Sequence, residues 1–370
     1  MFFPMCIILG EKMKISDLKI YNLSVPLKKD FKTSLRTVSS VEETVIKIET
    51  DGGLIGLGEA PPTAVITGDI NPGIQGLIIN NIKPLLIDED PENIDKLHHL
   101  VEKSAVNNNS AKAAVDIALY DLFAKIHKAP LYKLLGGYQN KITTDVTISV
   151  NSSEEMKEDA LRAVKEGYKN LKLKVGKGKG IEEDLERIKT IREAVGDDVK
   201  IKIDANQGWQ PKEAVYAIRE MEAEKLNIEF IEQPTAASDF EGLKFVRDNV
   251  LTPIMADESM FSPADCLRLL EMRACDLINI KLMKSGGIYN ALKINAIAEA
   301  YGVEVMIGSM LEAKISVTAA AHLAAAKKNI TRCDLDAPSL LAEDPVIGGI
   351  VIDGPEITLP SEPGLGIIKV

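Results

Sequence analysis

Three acidic residues in the second half of the chain carry the strongest chemical signal. Asp204, Glu232 and Asp257 each end a short apolar segment, in the sequences DANQGW, IEQP and ADES. A single acid at such a position often caps the helix that follows it. Three carboxylates that meet at one point would repel each other unless a cation lies between them. Because Mg²⁺ prefers oxygen ligands, the sequence predicts a site for one Mg²⁺ ion.

Lysines lie on both sides of these acids in the sequence. Lys172 and Lys174, in LKLK, point to one face of a strand. Taken alone, this pattern is also typical of an edge strand whose lysines face solvent. Lys281 is different, because it lies in the apolar segment LINIKL, where an unpaired buried charge is costly. Two lysines on opposite sides of a metal site indicate proton transfer at one carbon. One lysine would remove a proton from one face of the carbon, and the other would return a proton to the opposite face.

The surroundings of such a lysine pair decide its chemistry. Burial and neighbouring cations lower the pKa of a lysine toward the ~7–8 that suits a general base, so we expect a lowered pKa here. Mg²⁺ would stabilise the enediolate that forms when a proton leaves the carbon beside a carboxylate. Lys172 could hold that carboxylate and help to keep Lys174 neutral.

Repeated strand–helix units must position these residues. From about residue 142, short apolar strands alternate with amphipathic helices, predicted over 153–167, 181–195, 211–225 and 238–248. The polar residues that end the strands follow one another at intervals of 24 to 30 residues. Such repeats form a parallel sheet, either closed or open. Polar residues at the end of every strand favour a closed barrel, because barrel active sites lie at that end.

The length of 370 residues exceeds the ~250 of one barrel and predicts a second unit. Residues 13–138 contain a hairpin pattern, TVIKIET-DGG-LIGLGEAP, and three helical patterns, which is typical of an α+β unit. The barrel is predicted over 139–340. The turn-rich segment 341–370 is expected to pack back on the first unit, and residues 1–12 are a candidate N-terminal extension.

Composition narrows the function further. The chain has 44 basic and 55 acidic side chains, which argues against a nucleic-acid or anionic-membrane partner. No apolar run reaches the ~20 residues of a membrane span, so we expect a cytoplasmic protein. Four scattered histidines and four cysteines without C-x-x-C spacing argue against zinc.

Together, these motifs resemble the muconate-lactonizing subgroup of the enolase superfamily. Its K-x-K, D-x-N, E-Q-P, D-E-S and N-I-K-L motifs match essentially the whole chain after Met13. The resemblance implies a (β/α)7β TIM-type barrel with an N-terminal α+β capping domain. It also implies that Lys174 and Lys281 are the acid/base pair, that the three acids bind Mg²⁺, and that the protein is a homo-oligomer.

Two further acids narrow the substrate. Asp334 and Asp336, in CDLDAP, share one face of the last strand. They could cap a helix or turn, or they could form an anionic pocket for an ammonium group. This D-x-D pair is similar to the feature that marks dipeptide epimerases within the subgroup, where it binds the N-terminal amine. The stretch VMIGSMLE resembles the same group, and implies that Ser309 and Leu311 offer backbone groups along the dipeptide.

Loops of the first unit are expected to determine the specificity for the second residue of the dipeptide. Arg36, in FKTSLRT, is by itself typical of a solvated surface charge. Its setting resembles the L-Ala-D/L-Glu epimerases, in which an arginine of this loop forms a bidentate pair with the glutamate side chain. Thr67, in AVITGD, and Asn206, in the D-x-N motif, complete the candidate substrate-binding residues.

Three alternatives remain open from the sequence. The same site could serve an o-succinylbenzoate synthase or a muconate cycloisomerase. An ordinary barrel could use one of its lysines to form a Schiff base without a metal. A barrel that binds peptides without catalysis is the third alternative.

Overall fold

The computed structural model describes residues 12–177 and 180–370. The candidate N-terminal extension, residues 1–12, lies outside the described residues except for Lys12. Among the described residues, no helix is long and apolar enough to cross a membrane.

An antiparallel sheet opens the described chain, in the order β1 (Ile15–Lys32), β2 (Thr37–Thr50) and β3 (Ile55–Ala60). The predicted hairpin corresponds to β2 and β3. The helical part that follows comprises α1 (Asn71–Leu77), a π-helical turn (Ile78–Ile82), α2 (Lys83–Leu86), α3 (Ile94–Glu102), α4 (Asn109–Ile126) and α5 (Leu131–Leu135).

Two glycines of β3 let helix α4 lie directly on the sheet. A Cβ atom at Gly56 would lie 2.1 Å from the carbonyl oxygen of Ala118, and one at Gly58 would lie 1.9 Å from that of Ala114. Only glycine tolerates such a close approach of backbone. The sequence GLGEA therefore fixes the distance between the sheet and the helix.

Eight parallel strands follow in sequential order and form the predicted barrel. They are β5 (Val146–Ile148), β6 (Asn170–Lys174), β7 (Lys200–Asp204), β8 (Ile228–Glu232), β9 (Ile254–Ala256), β10 (Leu277–Lys281), β11 (Val305–Gly308) and β12 (Ile330–Asp334). A hydrogen bond of 3.1 Å from Asp145 N to Cys333 O joins the first strand to the last. The (β/α)7β barrel with an N-terminal capping domain is thereby confirmed.

The barrel helices lie close to their predicted bounds. They are α6 (Ser153–Lys165), α7 (Ile181–Val195), α8 (Pro211–Ala223), α9 (Phe240–Asp248), α10 (Pro263–Met272), the short α11 (Leu282–Ser285), α12 (Ile288–Ala300) and α13 (Lys314–Ala326). Local signals explain several ends: Ser152 and Ser262 cap α6 and α10 through their side chains, and Gly180 and Gly196 flank α7.

The C-terminal segment contacts both units. It begins with a short 3₁₀ helix, Ala337–Leu340. Four short strands follow: β13 (Ile347–Gly348), β14 (Val351–Asp353), β15 (Glu356–Thr358) and β16 (Ile367–Lys369). Strand β15 pairs with β4 (Lys141–Thr143), which precedes the barrel. Leu341 forms a bridge with Leu27 of β1, and Leu365 N donates to Asp121 of α4 at 2.8 Å.

The interior of the barrel is charged at its C-terminal end. Leu171 and Leu173 pack in the hydrophobic core on the outer face of β6, whereas the alternating Lys172 and Lys174 are buried against acidic residues. Burial of both lysines contradicts the alternative of an edge strand that faces solvent.

Candidate active site

The three predicted acids meet at the C-terminal end of adjacent strands. Asp204 and Glu232 end β7 and β8, and Asp257 follows β9 directly. All three are fully buried, and one ligand oxygen from each lies within 4.8 Å of the others. Three neighbouring parallel strands thus bring their carboxylates to one point.

This group fits a Mg²⁺ ion. Glu232 Oε2 and Asp257 Oδ1 are buried and accept no hydrogen bond within the described part of the chain. Each has an ammonium group close by, Lys172 Nζ at 2.8 Å and Lys284 Nζ at 2.6 Å, but without hydrogen-bonding geometry. Unused lone pairs on three converging carboxylates are the hard oxygen donors that Mg²⁺ requires.

Burial and charged neighbours shift the pKa values of two of the three acids. Burial raises the pKa of Glu232, and the nearby charge of Asp204 adds to this effect, so the pKa reaches about 7. Burial acts in the same direction on Asp257, but Lys281 and Lys284 outweigh it and hold the pKa of Asp257 well below its ordinary value.

The two predicted acid/base lysines face each other across the barrel. Lys174 ends β6 and Lys281 ends β10, and three strands separate β6 from β10 on either side of the barrel. Lys174 Nζ lies 2.6 Å from Asp204 Oδ2, and Lys281 Nζ lies 2.8 Å from Asp257 Oδ2. The two ammonium groups therefore contact different members of the same carboxylate triad, from opposite sides of the barrel.

The expectation of a lowered lysine pKa is wrong for Lys281. Burial lowers the pKa of Lys281, but the negative charge of Asp257 and of Glu232 outweighs burial and raises the pKa above its ordinary value. Burial and neighbouring cations alone would lower the pKa of Lys281, and the nearby carboxylates reverse that direction.

Lys172 lies in the centre of the barrel. It is 0% exposed, and its Nζ lies 2.7 Å from Asp334 Oδ2, 2.8 Å from Glu232 Oε2 and 3.0 Å from Asp204 Oδ2. This ammonium group links the Mg²⁺ candidate to the acid pair on the other side of the barrel. Its predicted contact with a substrate carboxylate stays a prediction.

The acid pair of the last strand lies opposite the middle acid of the triad. Strand β12, which ends at Asp334, is separated from β8 by three strands on either side. Asp336 accepts a hydrogen bond of 2.7 Å from Thr147 N. Burial raises the pKa of Asp336, and the charge of Asp334 adds to this, so the pKa reaches about 6. Lys172 and Lys174 outweigh the burial of Asp334 and lower its pKa.

A cavity lies between the capping domain and the barrel mouth. Eight sequence-predicted residues line it: Arg36, Lys174, Asn206, Lys281, Ser309, Leu311, Asp334 and Asp336. The structure thus brings the lysine pair, the acid pair and the capping-domain arginine to one space.

Arg36 lines this cavity without an ionic partner. Its guanidinium forms no hydrogen bond or ion pair with any residue that the structure describes. Burial lowers the pKa of Arg36, and the nearby charge of Glu43 acts in the other direction. A half-buried guanidinium without a partner can bind a carboxylate.

Thr67 stands apart from the cavity. Its backbone N donates to Thr63 O at 2.9 Å, and its hydroxyl lies 3.2 Å from the same carbonyl oxygen. This turn directs Thr67 to a separate cleft, and Val65 and Ile66 line the main cavity instead. The loop was predicted from the sequence, but the residue that reaches the cavity depends on the turn.

Two buried charged residues next to the site were missed. Lys284 contacts Asp257, and Glu258 accepts a hydrogen bond of 3.1 Å from Asn206 Nδ2. Lys284 was open to detection, since it lies in an apolar stretch three residues after Lys281. Glu258, in the ADES motif, had no signal that distinguishes it from a helix cap.

Comparisons with known proteins agree with this geometry. Residues 15–136 match the mandelate racemase / muconate lactonizing enzyme N-terminal domain, and residues 155–368 match the enolase C-terminal domain-like family. The chain is 58% identical over 355 residues to an L-Ala-D/L-Glu epimerase of Clostridium acetobutylicum, covering 96% of this chain and 99% of that one. It is 46% identical over 357 residues to a hydrophobic dipeptide epimerase of Enterococcus faecalis, covering 96% and 99%.

Solved structures give the same result. The substrate-liganded L-Ala-D/L-Glu epimerase from Bacillus subtilis superposes with a TM-score of 0.95 at 51% identity, covering 96% of this chain and 99% of that one. The dipeptide epimerase from Enterococcus faecalis, complexed with Mg and L-Leu-L-Tyr, superposes with a TM-score of 0.92 at 46% identity and the same coverage. The chain therefore belongs to the mandelate racemase/muconate lactonizing enzyme family of the enolase superfamily.

Proposed function

We propose that the protein is a Mg²⁺-dependent dipeptide epimerase, an isomerase that inverts the α-carbon of the C-terminal residue. We propose L-Ala-L-Glu and L-Ala-D-Glu as its substrates. The observation that carries this proposal is the position of Lys174 and Lys281, which reach one carboxylate triad from opposite strands of the barrel. The similarity to L-Ala-D/L-Glu epimerases supports it.

Two lysines on opposite sides of a carbon perform a 1,1-proton transfer. One lysine, as the amine, removes the α-proton from one face, and the other, as the ammonium, delivers a proton to the opposite face. Because the reverse reaction exchanges the two roles, the same pair converts either epimer into the other. When bound, Mg²⁺ stabilises the negative charge that develops on the carboxylate beside the reacting carbon.

Other residues of the cavity bind the two ends of the dipeptide. Asp334 and Asp336 offer negative charge to its N-terminal ammonium group, and Arg36 offers a guanidinium to the side-chain carboxylate of glutamate. Lys172 lies where its charge supports the reacting carboxylate, and Ser309, Leu311 and Asn206 line the space between. Thr67 does not line this cavity, whereas Val65 and Ile66 of the same loop do.

Exchange of the α-proton with solvent tests the function. In D₂O with Mg²⁺, L-Ala-L-Glu should gain deuterium at the α-carbon of glutamate and should not gain it at that of alanine, as followed by mass spectrometry and NMR. Without Mg²⁺, or with chelator, exchange should stop. Absence of exchange across a panel of dipeptides would overturn the proposal.

We expect a homo-oligomer, measurable by light scattering, and a cytoplasmic location, measurable by cell fractionation.

A further inference from the structure

Lys284 is a buried lysine outside the proposed proton-transfer pair. It lies in the short helix α11 and is 0% exposed. Its Nζ lies 2.6 Å from Asp257 Oδ1 and 3.1 Å from Asn279 O, and it also contacts Asp257 O. Two carbonyl oxygens accept hydrogen bonds from this ammonium group, and the Asp257 carboxylate forms an ion pair with it.

The three partners of Lys284 belong to two strands of the proposed site. Two are the carboxylate and the carbonyl oxygen of Asp257, which follows β9 and belongs to the proposed Mg²⁺ site. The third is the carbonyl oxygen of Asn279 in β10, two residues before Lys281. The Lys284 side chain thereby connects Asp257, a candidate Mg²⁺ ligand, to β10, the strand that carries Lys281.

The backbone of Lys284 is itself held in place. Its carbonyl oxygen accepts a hydrogen bond of 2.5 Å from Asn109 Nδ2 of α4, in the capping domain. Gly286 and Gly287 follow with positive φ angles of 78° and 116°. A Cβ at Gly287 would lie 2.3 Å from Asp116 Oδ2, so only glycine fits this turn.

From this geometry we infer that Lys284 is a positioning residue, which holds Asp257 in the orientation that Mg²⁺ requires. The inference rests on the Mg²⁺ site of the proposed function and deepens it. A lysine that served only as a counter-charge would compete with the cation, so its removal would strengthen Mg²⁺ binding. A lysine that orients a ligand has the opposite effect, because its removal weakens binding.

The sign of the change in Mg²⁺ affinity tests the inference. Lys284→Met keeps most of the side-chain volume and removes both the charge and the donors. We expect the Kd for Mg²⁺, measured by calorimetry without substrate, to rise about 10- to 100-fold. Lys284→Gln, which keeps an N–H donor, should lie between wild type and Lys284→Met. At saturating Mg²⁺, kcat should fall while KM for the dipeptide changes little.

Lys202→Met is the matched control. Lys202 is also a buried barrel lysine, 3% exposed, and pairs with Asp145 at 2.8 Å without contacting an acid of the triad. Its removal should leave the Kd for Mg²⁺ within about twofold of wild type. Thermal unfolding without Mg²⁺ identifies variants that are folded, and if Lys284→Met is not folded, Lys284→Gln carries the test.

Two results would overturn the inference. One is a folded Lys284 variant that binds Mg²⁺ as tightly as wild type or more tightly. The other is a Lys202→Met variant that loses Mg²⁺ affinity to the same degree. Because calorimetry needs no turnover, a failure of epimerase activity with intact Mg²⁺ binding would count against the proposed function and not against this inference.

Discussion

At the scale of single residues, each charged group of an Ala-Glu dipeptide has a counterpart of opposite charge at the cavity. In the proposed binding mode, the acid pair binds the α-ammonium group and Arg36 binds the side-chain carboxylate. In the same mode, the α-carboxylate contacts Lys172 and the Mg²⁺ candidate. This distribution distinguishes a dipeptide from the substrates of the alternative enzymes, which lack an ammonium group.

Removal of one charge from the acid pair should therefore affect dipeptides above all. We expect Asp336→Asn to lower kcat/KM for L-Ala-L-Glu about 10- to 100-fold, because a charged hydrogen bond contributes ~1.5–3 kcal/mol. Steady-state kinetics measure the effect, with the exposed Asp353→Asn as control. Unchanged dipeptide turnover in Asp336→Asn would favour a substrate without an amine.

Specificity for the second residue should depend on Arg36. Since its guanidinium has no partner among the described residues, Arg36→Met should lower kcat/KM for L-Ala-L-Glu about 10- to 100-fold and change that for L-Ala-L-Leu much less. Competition between the two dipeptides in one assay gives the ratio directly. Arg219→Met, on the exposed face of α8, should leave the ratio as in wild type. An equal loss for both dipeptides would assign Arg36 a role other than selecting glutamate.

At the scale of elements, three buried glutamates join the capping domain to the barrel. Glu43 and Glu59 come from β2 and β3, and Glu312 follows β11. Glu59 accepts hydrogen bonds at the start of α13, from Ser316 Oγ at 2.9 Å and Ile315 N at 3.3 Å. Burial raises the pKa of Glu59, and the charge of Glu312 adds to it, so the pKa reaches about 8.

This junction should make stability depend on pH. Between the ordinary glutamate pKa of 4.5 and about 8, Glu59 keeps its proton in the folded state and loses it on unfolding. The folded state then binds more protons, so the free energy of unfolding falls as the pH rises, by at most about 1.4 kcal/mol per pH unit for one group. Urea unfolding from pH 5 to pH 8 should show this slope, and Glu59→Gln should reduce it.

The exposed Glu193→Gln provides the reference for that series. Other buried acids, including Glu258 with its pKa of about 8, contribute to the slope in both proteins. The difference between wild type and Glu59→Gln isolates the junction. Parallel slopes in the two proteins would contradict a protonated Glu59 in the folded state.

At the scale of the whole molecule, the periodic part of the chain was predictable and the contacts between its parts were not. Helix α7 has the predicted bounds because glycines flank a clear apolar stripe, and the ends of the barrel strands were marked by polar residues. The triad followed from these two patterns. Parallel strands bring their C-terminal ends together wherever the barrel closes.

Other features depend on distances that no local pattern encodes. The sequence marks Lys284 as a lysine in an apolar stretch, but only the fold shows that it contacts Asp257. Glu43 and Glu59 lie on the two strands of an ordinary hairpin, where the sequence does not predict burial. They are buried because the capping domain packs against the start of α13. The expected direction of the Lys281 pKa shift was wrong for the same reason, since that shift depends on charges at the ends of three other strands, β6, β8 and β9.

Single substitutions of the two lysines test whether these residues act on opposite faces of one carbon. In D₂O with Mg²⁺, Lys174→Ala should exchange the glutamate α-proton of only one epimer of L-Ala-Glu, and Lys281→Ala should exchange that of only the other. Neither variant should interconvert the epimers, and both should keep the Mg²⁺ affinity needed for exchange. Exchange of the same epimer by both variants, or continued epimerisation by either one, would contradict the two-lysine account.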